Sequence, residues 1–413
     1  MKNVLIIPDG AADAPLEALG GRTAFEAAKT PHLDALSGLG RLGTARTTPE
    51  GMPCGSDVCT MSLLGYDPAR YHTGRAPLEA AAGGVAMEPE DWVFRVNLVN
   101  IQDGRMRDHS AGHISSGEGA RLITEFARRF DRPGFGFHPG VSYRNLMTDV
   151  SERGGPPGPA GPTSWDAVRT TPPHDILEAP IRKHLPTGGP LAEDLTRLIA
   201  ESEVFLADHE VNRARRENGE LPATHLWPWG QGRRPAMPSF EERFGKRGAM
   251  ITAVDLLAGI GACLGLERLD VPGQTSYHDN DYAATGAHAA AAVGAFDFLV
   301  VHVESPDEAS HAGDAQTKVA AIEAIDRHVV GPVVAALRDA CGEGGPWRVL
   351  VMPDHHTRVS TRMHDPTPVP FLLAGYKVGG VVRRTLTEAN AEASDLKVQH
   401  GHELMELFLR QPK

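Results

Sequence analysis

FLVVHVESPDEASHAG, residues 298–313, joins the pattern of a buried strand to two side chains of the kind that bind metal ions. Five of its first six residues are apolar, which is typical of a strand covered on both faces. Asp307 and His311 follow, four positions apart. Side chains at this spacing on one helical turn point the same way, so a carboxylate and an imidazole can reach one cation. This stretch by itself fits equally well with a strand that runs into a surface loop of unrelated charges.

Three other stretches repeat the order of apolar run, turn and ligand-type side chain. They are VLIIPDG at residues 4–10, RVLVMPDHH at 348–356, and the segment in which His364 precedes PVPFLLAG. The carboxyl ends of parallel strands form one edge of a sheet, where ligands bind. Three carboxylates and three imidazoles there are enough for two divalent cations once a seventh group helps. The six residues expected to meet are Asp9, Asp307, His311, Asp354, His355 and His364.

The composition bounds the class of protein. A chain of 413 residues with 41% hydrophobic and 23% charged residues is typical of a globular protein with room for two domains. The formal net charge of -12 argues against a nucleic-acid surface. Apolar runs fall short of the roughly 20 residues that span a membrane, and the first residues lack a signal-peptide pattern. Because the four cysteines lack CxxC spacing, we expect reduced thiols and a cytoplasmic protein.

A candidate nucleophile lies in GMPCGSDVCTMSLLGYDP, residues 51–68. The glycines and proline predict a tight loop, and Ser56 and Asp57 are residues that commonly start a helix. Ser56 has two interpretations. It caps the helix, or it is a nucleophile that the helix dipole, backbone N–H groups and a nearby metal stabilise. In the second case Ser56 is also the seventh metal ligand.

Two later stretches predict helices that pack on the sheet. ITAVDLLAGIGACLGLE, residues 251–267, is expected to end at Gly265. KVAAIEAIDRHVVGPVV, residues 318–334, has apolar residues along one helical face. Lys318 and Asp326 are expected on the outer faces of these helices.

Nine motifs spread along the chain resemble those of one family. They are PDGAAD, GSDVCTMSLLGYDP, YHTGRAPLEAA, DHSAGHIS, PGVSYRNL, TPPHDI, ITAVDLLAGIG, PDEASHAGD and PDHHTRVSTRMHDPTPVPF. In this order they resemble the archaeal-type cofactor-independent phosphoglycerate mutases, a branch of the alkaline phosphatase superfamily. The resemblance implies an α/β fold, with an alkaline-phosphatase-like sheet sandwiched by helices. It also implies a discontinuous metal-binding catalytic domain, residues 1–74 and 245–413, and an inserted α+β substrate-binding lid, residues 75–244.

The resemblance also implies how the site is divided. Two divalent ions, manganese, zinc or magnesium, would lie around Ser56 as the phosphorylated catalytic residue, and 2,3-bisphosphoglycerate would not be needed. One ion would take Asp307, His311 and His364. The other would take Asp9, Ser56, Asp354 and His355. Ser310, His356, Cys54 and Cys59 depart from the family pattern, and a second imidazole beside His355 could compete for a cation or carry a proton.

The insert is expected to bind a small anionic phosphorylated substrate. An arginine pairs naturally with a carboxylate or a phosphate, and the candidate side chains are His113, Arg144, Arg213, Arg233 and Arg234. The Pro/Gly stretch at Gly154 to Pro162 predicts a flexible surface loop.

Three functions remain open at this point. The first is interconversion of 3-phosphoglycerate and 2-phosphoglycerate through a phosphoserine. The second is a homoserine kinase-like phosphotransferase, or a phosphatase, acting on another small metabolite, because residues 208–235 resemble a bacterial subgroup with that proposed activity. A kinase needs a nucleotide site, yet GxxxxGK[ST] is absent, and Trp227 and Trp229 are expected to serve packing more than base stacking. The third is metal binding without catalysis. A homo-oligomer is left open.

Overall fold

The computed structural model describes residues 1–151, 164–380 and 384–410. The Pro/Gly stretch at Gly154 to Pro162 lies outside the described residues. The chain divides into two compact units. We call Met1–His72 together with Met237–Lys413 the discontinuous unit, and Thr73–Ala236 the inserted unit. Within the described residues, no helix has the length and apolar character that crossing a membrane requires.

The strands of the described chain are β1 (Lys2–Pro8), β2 (Gly40–Ala45), β3 (Trp92–Gln102), β4 (Arg105–Asp108), β5 (Phe135–His138), β6 (Arg144–Asp149), β7 (His225–Arg233), β8 (Gly248–Ile251), β9 (Glu267–Arg268), β10 (Phe298–Val303), β11 (Trp347–Val351), β12 (His356–Arg358), β13 (Met363–Asp365), β14 (Val369–Gly375) and β15 (Lys397–Val398).

The α-helices are α1 (Ala24–Ala27), α2 (Pro31–Ser37), α3 (Ser56–Leu63), α4 (Pro68–Tyr71), α5 (Arg75–Ala82), α6 (Ser116–Ala127), α7 (Pro190–Ala207), α8 (Glu210–Glu217), α9 (Phe240–Phe244), α10 (Asp255–Cys263), α11 (Tyr282–Ala292), α12 (Ser305–Ala312), α13 (Ala315–Ile325), α14 (Gly331–Cys341), α15 (Glu388–Glu392) and α16 (Leu404–Leu409). A π-helical segment, Asp326–Val330, joins α13 to α14. Short 3-10 turns lie at Glu17–Leu19, Trp165–Ala167, Pro173–Ile176, Ile181–Lys183 and Gly401–Glu403.

The discontinuous unit is built on an eight-stranded sheet with the order β15-β2-β14-β11-β1-β10-β8-β9. Its three central strands, β11, β1 and β10, are parallel, and β14 is antiparallel to β11. These strands are almost entirely apolar and buried because helices cover both faces. On one face Leu299 belongs to a core that also contains residues of α2, α11 and α14. On the other face the ring of Phe298 stacks on Phe240 of α9 at 4.3 Å.

Lys318 and Asp326 are buried, so the expectation that they lie on outer faces was wrong. Their side chains are 0% and 1% exposed. Lys318 donates to the carboxylate of Asp13 at 3.0 Å and to two backbone carbonyls. The carboxylate of Asp326 accepts hydrogen bonds from the backbone N–H groups of His32 and Leu33, in the first turn of α2. Each charge is stabilised by a partner far away in sequence, which a helical periodicity does not reveal.

The inserted unit has an antiparallel sheet in which β3 pairs with β4 and β6 on one path and with β7 as well. Residues of α6, α7 and α8 pack with β3 in its apolar core. Trp227 and Trp229, in β7, are 1% and 7% exposed and lie in a second core, as their predicted packing role requires. A largely parallel sheet between helices in one unit and an α+β arrangement in the other confirm the predicted fold class.

The chain leaves the discontinuous unit after His72 and returns to it at Met237. The boundaries expected from the sequence, after residues 74 and 244, differ most at the return. Residues 237–244 belong with the sheet because Phe240 packs on Phe298 and the Tyr66 hydroxyl donates to the carbonyl of Pro238.

Candidate active site

The carboxyl ends of β1, β10 and β11 bring together three aspartates, because these strands are adjacent and parallel. Asp9 follows β1, Asp307 lies in the first turn of α12, and Asp354 follows β11. Gly10 donates its backbone N–H to Asp354 Oδ1 at 3.1 Å. Gly10 has a φ of +58°, and a Cβ there would lie 2.5 Å from Asp307 Oδ1. Only glycine therefore lets the backbone pass between these carboxylates.

Asp9, Asp354 and His355 form the first group of metal-ligand type, with donor atoms all within 4.8 Å of one another. His355 Nε2 lies 3.2 Å from Asp354 Oδ2 and 3.7 Å from Asp9 Oδ1. All three side chains are fully buried. Among the described residues, neither Asp9 Oδ1 nor Asp354 Oδ2 has a hydrogen-bond partner. Buried carboxylate oxygens without donors, next to an imidazole nitrogen, fit a divalent cation as the missing partner.

Ser56 lies beside this group. It is the first residue of α3, its hydroxyl Oγ is 3.2 Å from His355 Nε2, and the N-cap position belongs to Gly55. Of the two interpretations of the sequence, simple capping is therefore not what this hydroxyl does. At the start of an eight-residue helix, an anion on Ser56 gains from the helix dipole and unpaired N–H groups.

Asp307, His311 and His364 form the second group. His311 Nε2 is 3.1 Å from Asp307 Oδ2 and 3.0 Å from His364 Nε2, and His364 Nε2 is 3.5 Å from Asp307 Oδ1. The rings of His355 and His364 stack at 3.9 Å, so the two groups adjoin. The six side chains expected from the sequence to meet at this edge, together with Ser56, are therefore close together.

The electrostatics differ between the two groups. Burial, followed by the charges of Asp354 and Asp307, raises the pKa of Asp9 well above its usual range. Burial alone would also raise the pKa of Asp307, but hydrogen bonds from His311 and His364 outweigh it and hold that pKa far below its usual range. The same bond with Asp307 raises the pKa of His311 to about 9. Burial lowers the pKa of His355. His311 thus carries a proton at pH 7, and His355 is neutral.

Thr357 and Lys318 support the site. Thr357 was not among the site residues predicted from the sequence. The Thr357 hydroxyl donates to Asp307 Oδ1 at 2.5 Å and lies 3.0 Å from His355 Nδ1, so it links the two groups. Lys318 donates to the carbonyl of Thr357 at 2.7 Å. The burial of Lys318 could have been predicted from its position. Residues 315, 318, 322 and 325 lie on one face of the helix, and the residues at 315, 322 and 325 are apolar and buried.

His302 and Glu304 also lie at this edge and were missed. His302 Nε2 is 2.8 Å from Asp9 Oδ2 and 3.3 Å from Glu304 Oε2. Burial lowers the pKa of His302 and raises the pKa of Glu304. His302 lies within an apolar run that predicts a buried strand, so it was not predicted as a site residue. A histidine that interrupts an otherwise apolar run, with a carboxylate two residues later, was the available signal.

Ser310 and His356, which depart from the family pattern, have structural roles in this chain. The Ser310 hydroxyl donates to the carbonyl of Pro306 at 2.6 Å inside α12. His356 Nε2 lies 3.3 Å from the carbonyl of Pro368, and burial lowers the pKa of His356 to about 4. Among the described residues, three sets of ligand-type side chains have donor atoms within 4.8 Å of one another, and His356 belongs to none of them. The three ligand groups are Asp9, Asp354 and His355; Asp307, His355 and His364; and Asp9, His302 and Glu304.

In the inserted unit, His113 and Arg144 both lie close to Tyr143. The Tyr143 ring is 6.4 Å from the His113 ring and 5.0 Å from the Arg144 guanidinium. Both candidate side chains are exposed. Arg144 pairs with Asn97 in the middle of β3. Its side chain therefore stands at the surface of the sheet, where it can meet a ligand.

The other three candidates lie elsewhere in the unit. Arg213, on α8, donates to the carbonyl of Asp208 at 2.9 Å. Arg233 lies over the ring of Trp92 at 4.6 Å, and Arg234 lies 3.4 Å from the carbonyl of Met87. Arg233 pairs with Trp92 and Arg144 with Asn97, a separation of about 17 Å along β3 at the usual rise of a strand. Arg144 and Arg233 therefore do not form one anion site by themselves.

Arg95 is a cation near Arg144 that sequence reasoning missed. It pairs with Glu79 at 3.0 Å and lies over the ring of Trp229 at 4.2 Å. Burial lowers its pKa, and the charges of Arg75 and Arg144 act in the same direction. His174 packs on the same tryptophan, with ring centroids 5.3 Å apart. In the inserted unit, Arg75, Arg95 and Arg144 thus lie around the single carboxylate of Glu79. This excess of positive charge suits an anion.

Comparison with known proteins identifies relatives that match nearly the whole chain. A sequence profile described as 2,3-bisphosphoglycerate-independent phosphoglycerate mutase matches residues 38–212. The chain is 46% identical over 409 residues to the protein named 2,3-bisphosphoglycerate-independent phosphoglycerate mutase 2 of Methanothermobacter thermautotrophicus, covering 99% of this chain and 97% of that protein. The correspondingly named protein of Methanothrix thermoacetophila is 44% identical, covering 99% of this chain and all of its own length.

A solved structure agrees with these relatives. The cofactor-independent phosphoglycerate mutase from Thermoplasma acidophilum is 27% identical and superposes with a TM-score of 0.69, covering 99% of each chain. The match extends over 99% of this chain and so includes both the discontinuous and the inserted unit. It confirms the resemblance of the motifs, and the chain belongs to the family of 2,3-bisphosphoglycerate-independent phosphoglycerate mutases.

Proposed function

We propose that this protein interconverts 3-phosphoglycerate and 2-phosphoglycerate through a phosphoserine at Ser56, without 2,3-bisphosphoglycerate. The observation that carries the proposal is the position of the Ser56 hydroxyl, 3.2 Å from His355 Nε2 in a cluster of buried carboxylates and imidazoles. A purely structural metal site is closed by its ligands and has no need of a hydroxyl at a helix start. Relatives that share 44–46% of their residues with this chain carry the name of this mutase.

Two divalent cations would be held by the two ligand groups. Asp307, His311 and His364 would hold one, and Asp9, Asp354, His355 and Ser56 the other. Mixed carboxylate and imidazole donors favour manganese or zinc over magnesium, which prefers oxygen and water. When bound, the cations lower the pKa of a coordinated hydroxyl and neutralise phosphoryl oxygens.

Ser56 acts twice in the reaction. In the first half, Ser56 Oγ forms a bond to phosphorus while the bond from phosphorus to the 3-oxygen of glycerate breaks; the serine hydroxyl loses a proton and the 3-oxygen gains one. In the second half, the 2-oxygen of the same glycerate forms a bond to phosphorus while the bond from phosphorus to Ser56 Oγ breaks; the 2-hydroxyl loses a proton and Ser56 Oγ regains one. The helix start at Ser56 stabilises the dianionic phosphoserine between the halves.

A mutase must keep water from the phosphoserine and hold glycerate while it reorients. A phosphatase instead passes the group to water. We assign the holding of glycerate to the inserted unit, where Arg144, Arg95 and His113 offer cationic and hydrogen-bonding groups. A bidentate arginine suits the carboxylate that both phosphoglycerates carry. Arg213, Arg233 and Arg234 remain candidates for weaker contacts.

The test is an assay of metal-reconstituted protein with 3-phosphoglycerate, in which 2-phosphoglycerate formation is coupled to a downstream enzyme. We expect equal rates with and without added 2,3-bisphosphoglycerate. Release of inorganic phosphate with no 2-phosphoglycerate would make the protein a phosphatase. Homoserine-dependent ATP consumption with no 2-phosphoglycerate would favour the kinase alternative, which the burial of Trp227 and Trp229 already weakens, since buried rings are not open to a base.

The cellular setting follows from the substrate. Phosphoglycerates are small cytoplasmic anions, so we expect a cytoplasmic enzyme. The four cysteines, Cys54, Cys59, Cys263 and Cys341, are all free thiols, which suits a reducing compartment. The acidic net charge of -12 speaks against nucleic acid as a partner. A homo-oligomer stays a prediction for sedimentation analysis.

A further inference from the structure

Asp9 directs its two carboxylate oxygens to two different sets of side chains. Oδ1 lies 3.7 Å from His355 Nε2, in the group beside Ser56. Oδ2 lies 2.8 Å from His302 Nε2, on the other side of the carboxylate. Asp9, His302 and Glu304 offer one ligand atom each, and these three atoms lie within 4.8 Å of one another. The two-metal assignment uses Asp9 but leaves His302 and Glu304 without a role.

These side chains are buried and short of hydrogen-bond donors. Asp9 and His302 are 0% and 1% exposed, and the Glu304 side chain is 13% exposed. Glu304 Oε2 is a buried atom for which the described residues supply no hydrogen-bond partner. His302 Nε2 faces both carboxylates and can give at most one proton, to one of them. Protein groups therefore satisfy this cluster only if Asp9 and Glu304 also share a proton across the hydrogen bond between their carboxyl groups, and a carboxylate oxygen left there without a partner is costly.

The hydrogen bond at Nδ1, the ring nitrogen of His302 that points away from Asp9, is of the kind that metal-binding histidines make. His302 Nδ1 lies 3.0 Å from Thr252 Oγ1, which also accepts the backbone N–H of Val254 at 3.1 Å. An oxygen already accepting one bond can accept a second from Nδ1–H. That tautomer leaves the Nε2 lone pair directed at Asp9 and Glu304, and metal-binding histidines usually hold their other N–H in this way.

We propose that Asp9 Oδ2, His302 Nε2 and the Glu304 carboxylate hold a third divalent cation, joined through Asp9 to the cation beside Ser56. Two carboxylates and one imidazole suit Mn²⁺ or Zn²⁺, with water in the remaining positions. The site does not depend on which phosphorylated metabolite is the substrate. Bound there, the ion fixes the Asp9 carboxylate from the side away from Ser56 and adds positive charge to a cluster of four carboxylates: Asp9, Asp307 and Asp354, which are buried, and Glu304, which is mostly buried.

The test counts metal ions. Metal-depleted protein is dialysed to equilibrium against Mn²⁺, and bound manganese is measured by mass spectrometry. We expect three equivalents for the wild type and two for Glu304→Gln, which keeps the size of the side chain but removes its charge. Glu308→Gln is the matched control, since Glu308 is a half-buried carboxylate four residues further along and outside the three ligand groups; it should keep three equivalents.

Anomalous diffraction at the manganese edge on wild-type crystals locates the ions without any variant. A peak between Asp9, His302 and Glu304 is expected. Two equivalents in the wild type, three in Glu304→Gln, or no peak at this position would each overturn the third site. Conversion of 3-phosphoglycerate by the same samples separates the outcomes: a two-ion protein that is active refutes the third site alone, and a three-ion protein that is inactive refutes the proposed function alone.

Discussion

Raising the pH from 7 to 8 should strengthen Mn²⁺ binding to the Asp307, His311 and His364 group about ninefold. The reason is the proton on His311, whose pKa is raised to about 9, chiefly by its hydrogen bond with Asp307. Only the neutral imidazole binds a metal, so affinity follows the neutral fraction. With a pKa of about 9 this fraction rises from about 1% to about 9% over that interval, whereas a histidine with an ordinary pKa of about 6.5 would change affinity only about 1.3-fold. Because His311 keeps its proton up to a higher pH than an ordinary histidine, the affinity for Mn²⁺ continues to rise up to about pH 9.

The assay measures free Mn²⁺ by electron paramagnetic resonance during titration of metal-depleted protein at pH 7, 7.5 and 8. His311→Gln removes this proton, so the pH dependence should become clearly shallower; part of it stays with His364, whose pKa is also raised because the hydrogen bond with Asp307 outweighs burial. His288→Gln is the control, because His288 is an exposed histidine on α11, outside the ligand groups; the ninefold change should persist. A change below twofold in the wild type, or an unaltered dependence in His311→Gln, would refute the reasoning.

Four substitutions test other parts of the structure. Ser56→Ala should fold and still bind metal at Asp307, yet take up no ³²P from labelled substrate, and label found on another residue would remove Ser56 as the nucleophile. Arg144→Ala should lower kcat/KM by an amount worth about 2–4 kcal/mol, the order expected for a lost charged contact, while the exposed Arg128→Ala should leave kcat/KM unchanged. Thr357→Val removes the hydroxyl that links Asp307 to His355 and should weaken Mn²⁺ binding about 10–100-fold, with the exposed Thr361→Val as control; equal affinities would contradict the link. Because burial lowers the pKa of His356 to about 4, its contribution to stability is complete above pH 6.5 and is lost as the pH falls toward 4; urea unfolding should show about 2 kcal/mol less stability at pH 5 than at pH 7 from this residue, and a His356→Gln variant with the full wild-type loss would disprove it.

The layout of the ligand cluster could be predicted from short patterns. Each of three apolar runs is followed within four residues by an aspartate, Asp9, Asp307 or Asp354, and a buried carboxylate needs a partner. Parallel strands carry such ends to one edge whatever their order in the sheet. Ser56 could be placed at a helix start because glycine and proline before it exclude a helix.

The inserted unit was harder to read. Arginines are usually solvated, and nothing in the sequence distinguishes Arg144 from Arg213. The pairing of β3 with β6 and β7 makes the difference, because it places Arg95 and Trp229 side by side and Arg233 far from Arg144. The β3–β7 pairing joins residues more than a hundred positions apart, and the β3–β6 pairing joins residues about 50 positions apart.

The sequence by itself determined the fold class, the family, and seven of the side chains that gather at the carboxyl edge of the sheet, because local periodicity and chain-order motifs encode these. Only the tertiary structure decided that Lys318 is buried against Asp13, that Thr357 joins Asp307 to His355, and that His302 and Glu304 face Asp9. Each of these is a contact between segments whose distance depends on strand order and register. A polar residue in an apolar pattern reveals that it must have a partner, but the folded chain alone supplies the partner.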